Sequence, residues 1–341
     1  MARTLPSIRR ASHARPTLVA AAAVSAGLLL AACGGGDDEA EVVESSSTTE
    51  ADATTTTASG SINALPSGVE VDTTVWFRAF EIGLSDPTLN DEDPDAPVLE
   101  IEVQLDNLAE SSQGLSAGDV QLWLGDEQTV RADFDGQSIP SLGSGTGTLS
   151  FDLDRVDGDL DLTEAEIRFG TEAQNQAIVP LDGEDVVTLE PVEFEVGEST
   201  SVGTFSYEFT DGLIQYNDVK RGRPLDEGAA LLTLTYDADL AAGDYAASRS
   251  VLVAEWRLTL PDGSQVAYED NTGDTSIPTG TNVTGHTVTY EIVRPVGGDY
   301  VLAIVSADEE GDNQTGDLPF TVPDQESSDA DEMSTTTTTE S

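Results

Sequence analysis

Residues 98–108, VLEIEVQLDNL, alternate in character: Leu99, Ile101, Val103 and Leu105 fall on one side, and Glu100, Glu102 and Gln104 on the other. Successive side chains of a strand point to opposite faces, so this period of two predicts a strand with one face in a core and the other in water. GTLSFDLDRV (147–156) repeats the pattern, with Leu149, Phe151 and Leu153 as the inward set. Outward from these two stretches, residues 66 to 323 form short alternating runs of Val, Leu, Ile, Thr and aromatics, broken by clusters of Gly, Asp, Asn and Pro. That punctuation predicts an all-β sandwich or barrel. No stretch keeps a helical period over three turns, and AEIRFG (165–170) reads as a strand.

The runs also recur. LEIEVQLDNLA (99–109) matches LLTLTYDADLA (231–241), VQLWLGDEQTV (120–130) matches WRLTLPDGSQV (256–266), and GTLSFDLDR (147–155) matches TVTYEIVRP (287–295). AEIRFG then answers to DYVLAIV (299–305), and QAIVPL (176–181) to DLPFTV (317–322). Five elements matched in order indicate an internal repeat. The chain is therefore expected to carry two sandwiches, 66–196 and 197–323, each of ordinary single-domain size. The connector LEPVEFEVGEST (189–200) itself alternates at Val192, Phe194 and Val196, which predicts a strand between the modules and a stiff tandem.

The N-terminus reads differently. Residues 1–16 carry Arg3, Arg9, Arg10 and Arg15 with no acid, and TLVAAAAVSAGLLLAA (17–32) is almost wholly small or apolar. A basic region followed by a short apolar region is an export signal, and 16 such residues fall short of the ~20 a membrane span needs. Leu30-Ala31-Ala32-Cys33 resembles the lipobox of bacterial lipoproteins. The resemblance implies cleavage before Cys33, acylation of its thiol with palmitate-type chains, and attachment to the cell membrane facing out of the cytoplasm. More than one acyl chain is needed for stable anchoring, since each buried methylene contributes about 0.8 kcal/mol. Residues 33–65 and 324–341 are rich in Gly, Ser, Thr and acid without apolar periodicity, and are expected to be a disordered tether and tail.

Composition narrows the chemistry. The net charge is −51, from 14 basic and 65 acidic residues, and removal of residues 1–32 takes away four of the basic ones and none of the acidic ones. Such a chain repels nucleic acid and anionic lipid, so a lipid anchor rather than charge would hold it to the membrane. Cys33 is the sole cysteine, which excludes a disulfide framework. Once His13 leaves with the signal, His286 is the only histidine, placed in TGHTVTYEI (284–292) at an expected loop-to-strand junction. That leaves little for a hydrolytic triad or a His/Cys zinc site. Carboxylate pairs are uninformative among 65 acids, and aromatics at 6% do not suggest a sugar-lined cleft.

Two candidate sites remain. DPTLNDEDPDAP (86–97) gathers Asp86, Asn90, Asp91, Glu92, Asp93 and Asp95 in a loop between strands, an oxygen-rich set suited to calcium. In VQLWLGD the inward set is Val120, Leu122 and Leu124, which turns Trp123 outward as a candidate contact surface, whereas Trp256 aligns with Val120 and points inward. VDTTVWFRAFEIG (71–83), the long 99–109 strand with its Asn-containing turn, and Val179-Pro180-Leu181 resemble the immunoglobulin-like modules of unknown function in bacterial surface lipoproteins. That resemblance implies a fold and no site. The expected protein is a lipid-anchored, non-enzymatic binding or scaffolding module at the cell envelope, with envelope proteins or glycans as partners. The alternatives are an acidic structural surface protein, a carbohydrate-active enzyme and a solute-binding subunit. The last would alternate strands with helices.

Overall fold

Eight principal strands enclose the first core: β1 (Thr73–Phe77), β2 (Phe80–Leu84), β3 (Val98–Asn107), β4 (Val120–Trp123), β5 (Thr129–Gly136), β6 (Ser144–Asp152), β7 (Glu166–Phe169) and β8 (Ala177–Pro180). They pair antiparallel in the orders β1-β2-β3-β6 and β8-β7-β4-β5. β5 runs from β4, where Arg131 faces Gln121, on to β6, where Ala132 faces Phe151, and so joins the two layers at one corner. The alternation of β3 is realised: Leu99, Ile101, Val103 and Leu105 are buried, while Glu102 and Gln104 are exposed. Val120, Leu122, Ile167, Phe169 and Val179 enter the same core from the other layer. Each such side chain contributes about 1.5–3 kcal/mol by leaving water.

The second core has the same plan. Its strands are β9 (Val192–Val202), β10 (Phe205–Gln215), β11 (Ala229–Leu240), β12 (Arg257–Thr259), β13 (Gln265–Ala267), β14 (Asn282–Val293), β15 (Gly298–Ala307) and β16 (Asn313–Val322). The principal orders are β9-β10-β11-β14 and β13-β12-β15-β16, matching those of the first half, with a further strand pair, Ser248–Val251 and Thr275–Pro278, added beside β15. A short 3-10 turn precedes both β4 (Ala117–Asp119) and β12 (Val253–Glu255). The central pairs, third with sixth and fourth with seventh, are those of an immunoglobulin-like sandwich. All five repeats seen in the sequence occupy equivalent strands. The halves differ in filling: Trp256 sits fully buried among Tyr207, Phe209 and Tyr236, ring centroids 5.2 to 6.1 Å away, and its Nε1 donates to the Val305 carbonyl at 3.1 Å.

The computed structural model describes residues 62–63, 71, 73–93, 96–125, 128–154, 156, 160–240, 248–269, 275–278, 281–293, 295–308 and 311–324. The signal segment, Cys33, Asp95, most of the expected tether and the tail beyond 324 lie outside them. Ile62–Asn63, at the end of the expected tether, pair in parallel with Leu160–Asp161, so the expectation of a structureless stretch up to 65 does not hold for these two residues. Their backbone groups find partners on a short strand of the first half. The connector Val192–Val196 is a strand, and it pairs with β10 within the second sheet. Among the described residues no helix is long and apolar enough to cross a membrane.

Candidate functional site

Three polar residues of loops and turns tie the two sandwiches together. β1 and β2 are joined by a tight turn in which Arg78 takes a left-handed conformation, φ 58°. That geometry aims its backbone N–H at Asn217, just past the end of β10, whose Oδ1 accepts it at 2.8 Å. The Arg78 side chain donates from Nε to the Gly222 carbonyl at 2.8 Å and forms an ion pair with Asp119. In the β7–β8 loop, Asn175 is buried and fully satisfied: Nδ2 donates to the carbonyls of Tyr216 (2.8 Å) and Ala229 (2.7 Å), and Oδ1 accepts from Gly228 N–H at 2.9 Å. Its own backbone N–H reaches the Leu225 carbonyl at 2.9 Å, and Glu227 N–H reaches the Ala173 carbonyl at 3.1 Å. The loop 216–229 of the second sandwich is thus gripped by two separate loops of the first.

The same loop is braced from within. Asp218 is buried, and its Oδ2 accepts from Arg221 Nη1 and Arg223 Nε, each at 3.0 Å, with both cations half exposed. A buried carboxylate must be paired in this way, because desolvating it alone costs several kcal/mol. Burial also pushes the nearby Tyr216 phenol above its usual range.

Beside this seam lies a groove of about 990 Å³. Its apolar lining comes from Ile178, Val187, Leu189, Val192, Pro295 and Pro323, and Asn175 and Tyr216 also border it. Glu172, Glu190, Glu193 and Glu227 line it as exposed carboxylates, and no Lys or Arg is among the described residues that do. Four large apolar side chains are exposed among the described residues: Leu142, Val187, Val293 and Val296. Of these, Val187 lines the groove. A cleft of this volume between two cores, lined by apolar and polar side chains in similar measure, is a candidate binding site.

The residues singled out from sequence fall elsewhere. Thr88–Asn90 form a short strand on β3, so the proposed calcium loop is the turn of a hairpin. Asp86 accepts the Val71 N–H at 2.8 Å, Asn90 accepts the Glu92 N–H at 3.3 Å, and the Asp93 carbonyl accepts from Ala96 N–H. Among the described residues no three His, Cys, Asp or Glu side chains gather as a metal-holding group. Trp123 does face outward, and the Arg168 guanidinium lies over its ring, 4.3 Å from the centroid, while Arg168 is held by Glu166 at 2.7 Å. His286 is inside β14 rather than at its start, half-buried, paired with Tyr236 at a ring distance of 6.0 Å. The left-handed Gly285 before it lets the strand continue through the bend. Asn175, Asn217 and Arg78 went unnoticed in the sequence; the only hint was the run VKRGR (219–223), the densest cationic stretch after the signal in a strongly acidic chain.

No protein-family model matches the chain, and no curated protein matches it. Among solved structures it is similar to the crystal structure of the conserved domain protein from Bacillus anthracis, at 10% identity, covering 74% of this chain and 91% of that one, with a TM-score of 0.27. At that TM-score the likeness bears on neither fold nor function.

Proposed function

We propose that the protein is a lipid-anchored, extracytoplasmic, non-enzymatic binding or scaffolding module of the bacterial cell envelope. Cys33 carries the lipid, and two sandwiches, the second beginning with β9 at Val192 rather than at 197, stand beyond a Ser/Thr-rich tether. The observation that carries the binding role is the seam: two loops of one sandwich grip a loop of the other, so the groove between them is held in one shape. A pre-formed cleft binds without the cost of ordering its walls. Anchoring rests on the run of basic residues, apolar residues and Leu30-Ala31-Ala32-Cys33, and two acyl chains suffice where the acidic body gives no attraction to lipid.

Detergent phase partitioning of the chain expressed in a bacterial host tests the reading. The wild type is expected in the detergent phase with a lipid mass on its N-terminal cysteine, and Cys33→Ser in the aqueous phase. A wild-type chain that stays aqueous with an unmodified Cys33 overturns it.

A further inference from the structure

We infer that the groove along the seam seats an extended, cationic segment of another protein, in which Lys or Arg alternates with apolar side chains. This rests on reading the chain as a binding module and names the chemistry of what it binds. Two observations point the same way. Val187, one of the four exposed large apolar side chains among the described residues, lines this groove with Ile178, Leu189 and Val192, where an apolar partner would cover it. Among the described residues the groove's charged lining is of one sign: Glu172, Glu190, Glu193 and Glu227 line it with no Lys or Arg.

The occupant must therefore carry both apolar side chains and positive charge. An extended backbone supplies both at once, since alternate residues project to opposite sides and one set can face the valines and prolines while the other meets the glutamates. A simple polyamine meets the charge and leaves the valines in water. The chain's own termini are excluded as occupants, because 34–64 and 324–341 are acidic and like charges across an interface are repulsive. A second copy, also of net charge −51, is disfavoured for the same reason.

The test is fluorescence anisotropy of labelled peptides with the full chain purified in detergent. A short peptide alternating lysine and valine is expected to bind saturably, and the same length of lysine and serine, or of glutamate and valine, at least about tenfold more weakly. Glu190→Lys with Glu193→Lys is expected to weaken the lysine–valine peptide by about tenfold or more, and Val187→Asp to weaken it similarly. Glu102→Lys with Glu208→Lys makes the same change in net charge on outer sheet faces, and is expected to leave binding within about twofold. All these positions are exposed, and unchanged thermal melting shows that the variants fold. Equal weakening by the outer-face pair, equal binding of the lysine–serine peptide, or no saturable binding overturns the inference. If the chain partitions into detergent and yet fails these tests, the ligand class alone is wrong; if it stays aqueous with Cys33 unmodified, the envelope reading is wrong whatever the peptides do.

Discussion

Asn217 accepts the backbone N–H of Arg78 at 2.8 Å, a contact between residues 139 apart in the chain that fastens the tip of one hairpin to the start of a loop in the other sandwich. With Asn175 it makes the seam a polar knot between two apolar cores. Buried amides of this kind contribute modestly when satisfied and strongly when broken, because the groups left behind lose water without gaining a partner.

Asn175→Ala removes the side-chain hydrogen bonds to the carbonyls of Tyr216 and Ala229 and from the N–H of Gly228. A loss of about 3 kcal/mol is expected. In urea, fluorescence of Trp256 in the second core and of Trp76 and Trp123 in the first should change together in the wild type and separate in Asn175→Ala with Asn217→Ala. Coincident transitions in the double variant would show that the knot does not couple the cores.

Asp218→Ala leaves Arg221 and Arg223 without their shared acceptor and is expected to cost about 3 kcal/mol or more by chemical denaturation. Arg221→Ala should cost under about 1 kcal/mol, since its guanidinium is half exposed and Arg223 still holds the carboxylate. Equal costs would place the pairing at the surface.

Alkaline stability follows from the aromatic core. Burial, partly opposed by its hydrogen bond with Ser306, pushes the Tyr207 phenol up to about 12, and burial drives Tyr236 and Tyr290 further above the ordinary 10.0. The folded state therefore holds protons that the unfolded state releases, so stability is fully present below pH 10 and falls as pH rises through 10 toward 12 and beyond. The tyrosinate absorbance of these three residues should appear together with loss of the fold, not before it.

Trp123→Ala removes the surface on which Arg168 rests and is expected to cost about 0.5–1 kcal/mol while leaving the fold intact. Trp256→Ala empties the centre of the second core and should cost about 3–5 kcal/mol. Thermal melting of the two variants separates a surface tryptophan from a core one.

Asp86→Ala should lower stability by about 1 kcal/mol through the lost Val71 hydrogen bond, and Asp86→Asn, which keeps an acceptor oxygen, by less. Melting of both variants with and without added calcium also tests the 86–97 loop as a cation site.

Strands could be read from the sequence because each half of the fold has a buried and a wet side, and alternation such as Leu99 to Leu105 records that division directly. The repeat was legible for the same reason, since both halves impose the same order of inward sets. The knot was not. Asn175, Asn217 and Arg78 are polar residues in turns, where composition looks the same whether a side chain meets water or a distant carbonyl. The Thr88–Asn90 strand was hidden by acidic neighbours, and His286 by the glycine before it, which marked a bend rather than an end.

The bracing of Asp218 also decides how the protein meets proteases. Lys220 and Arg221 form an adjacent pair of trypsin-type cleavage points, Arg223 being shielded by Pro224, and they project from a loop fastened by the Asn217 side chain and by the backbone of Gly222, Leu225 and Gly228. Cleavage needs a locally unfolded segment, so the cut there waits on release of the loop. The rate of nicking at these two residues is thus a gauge of how often the two halves part company.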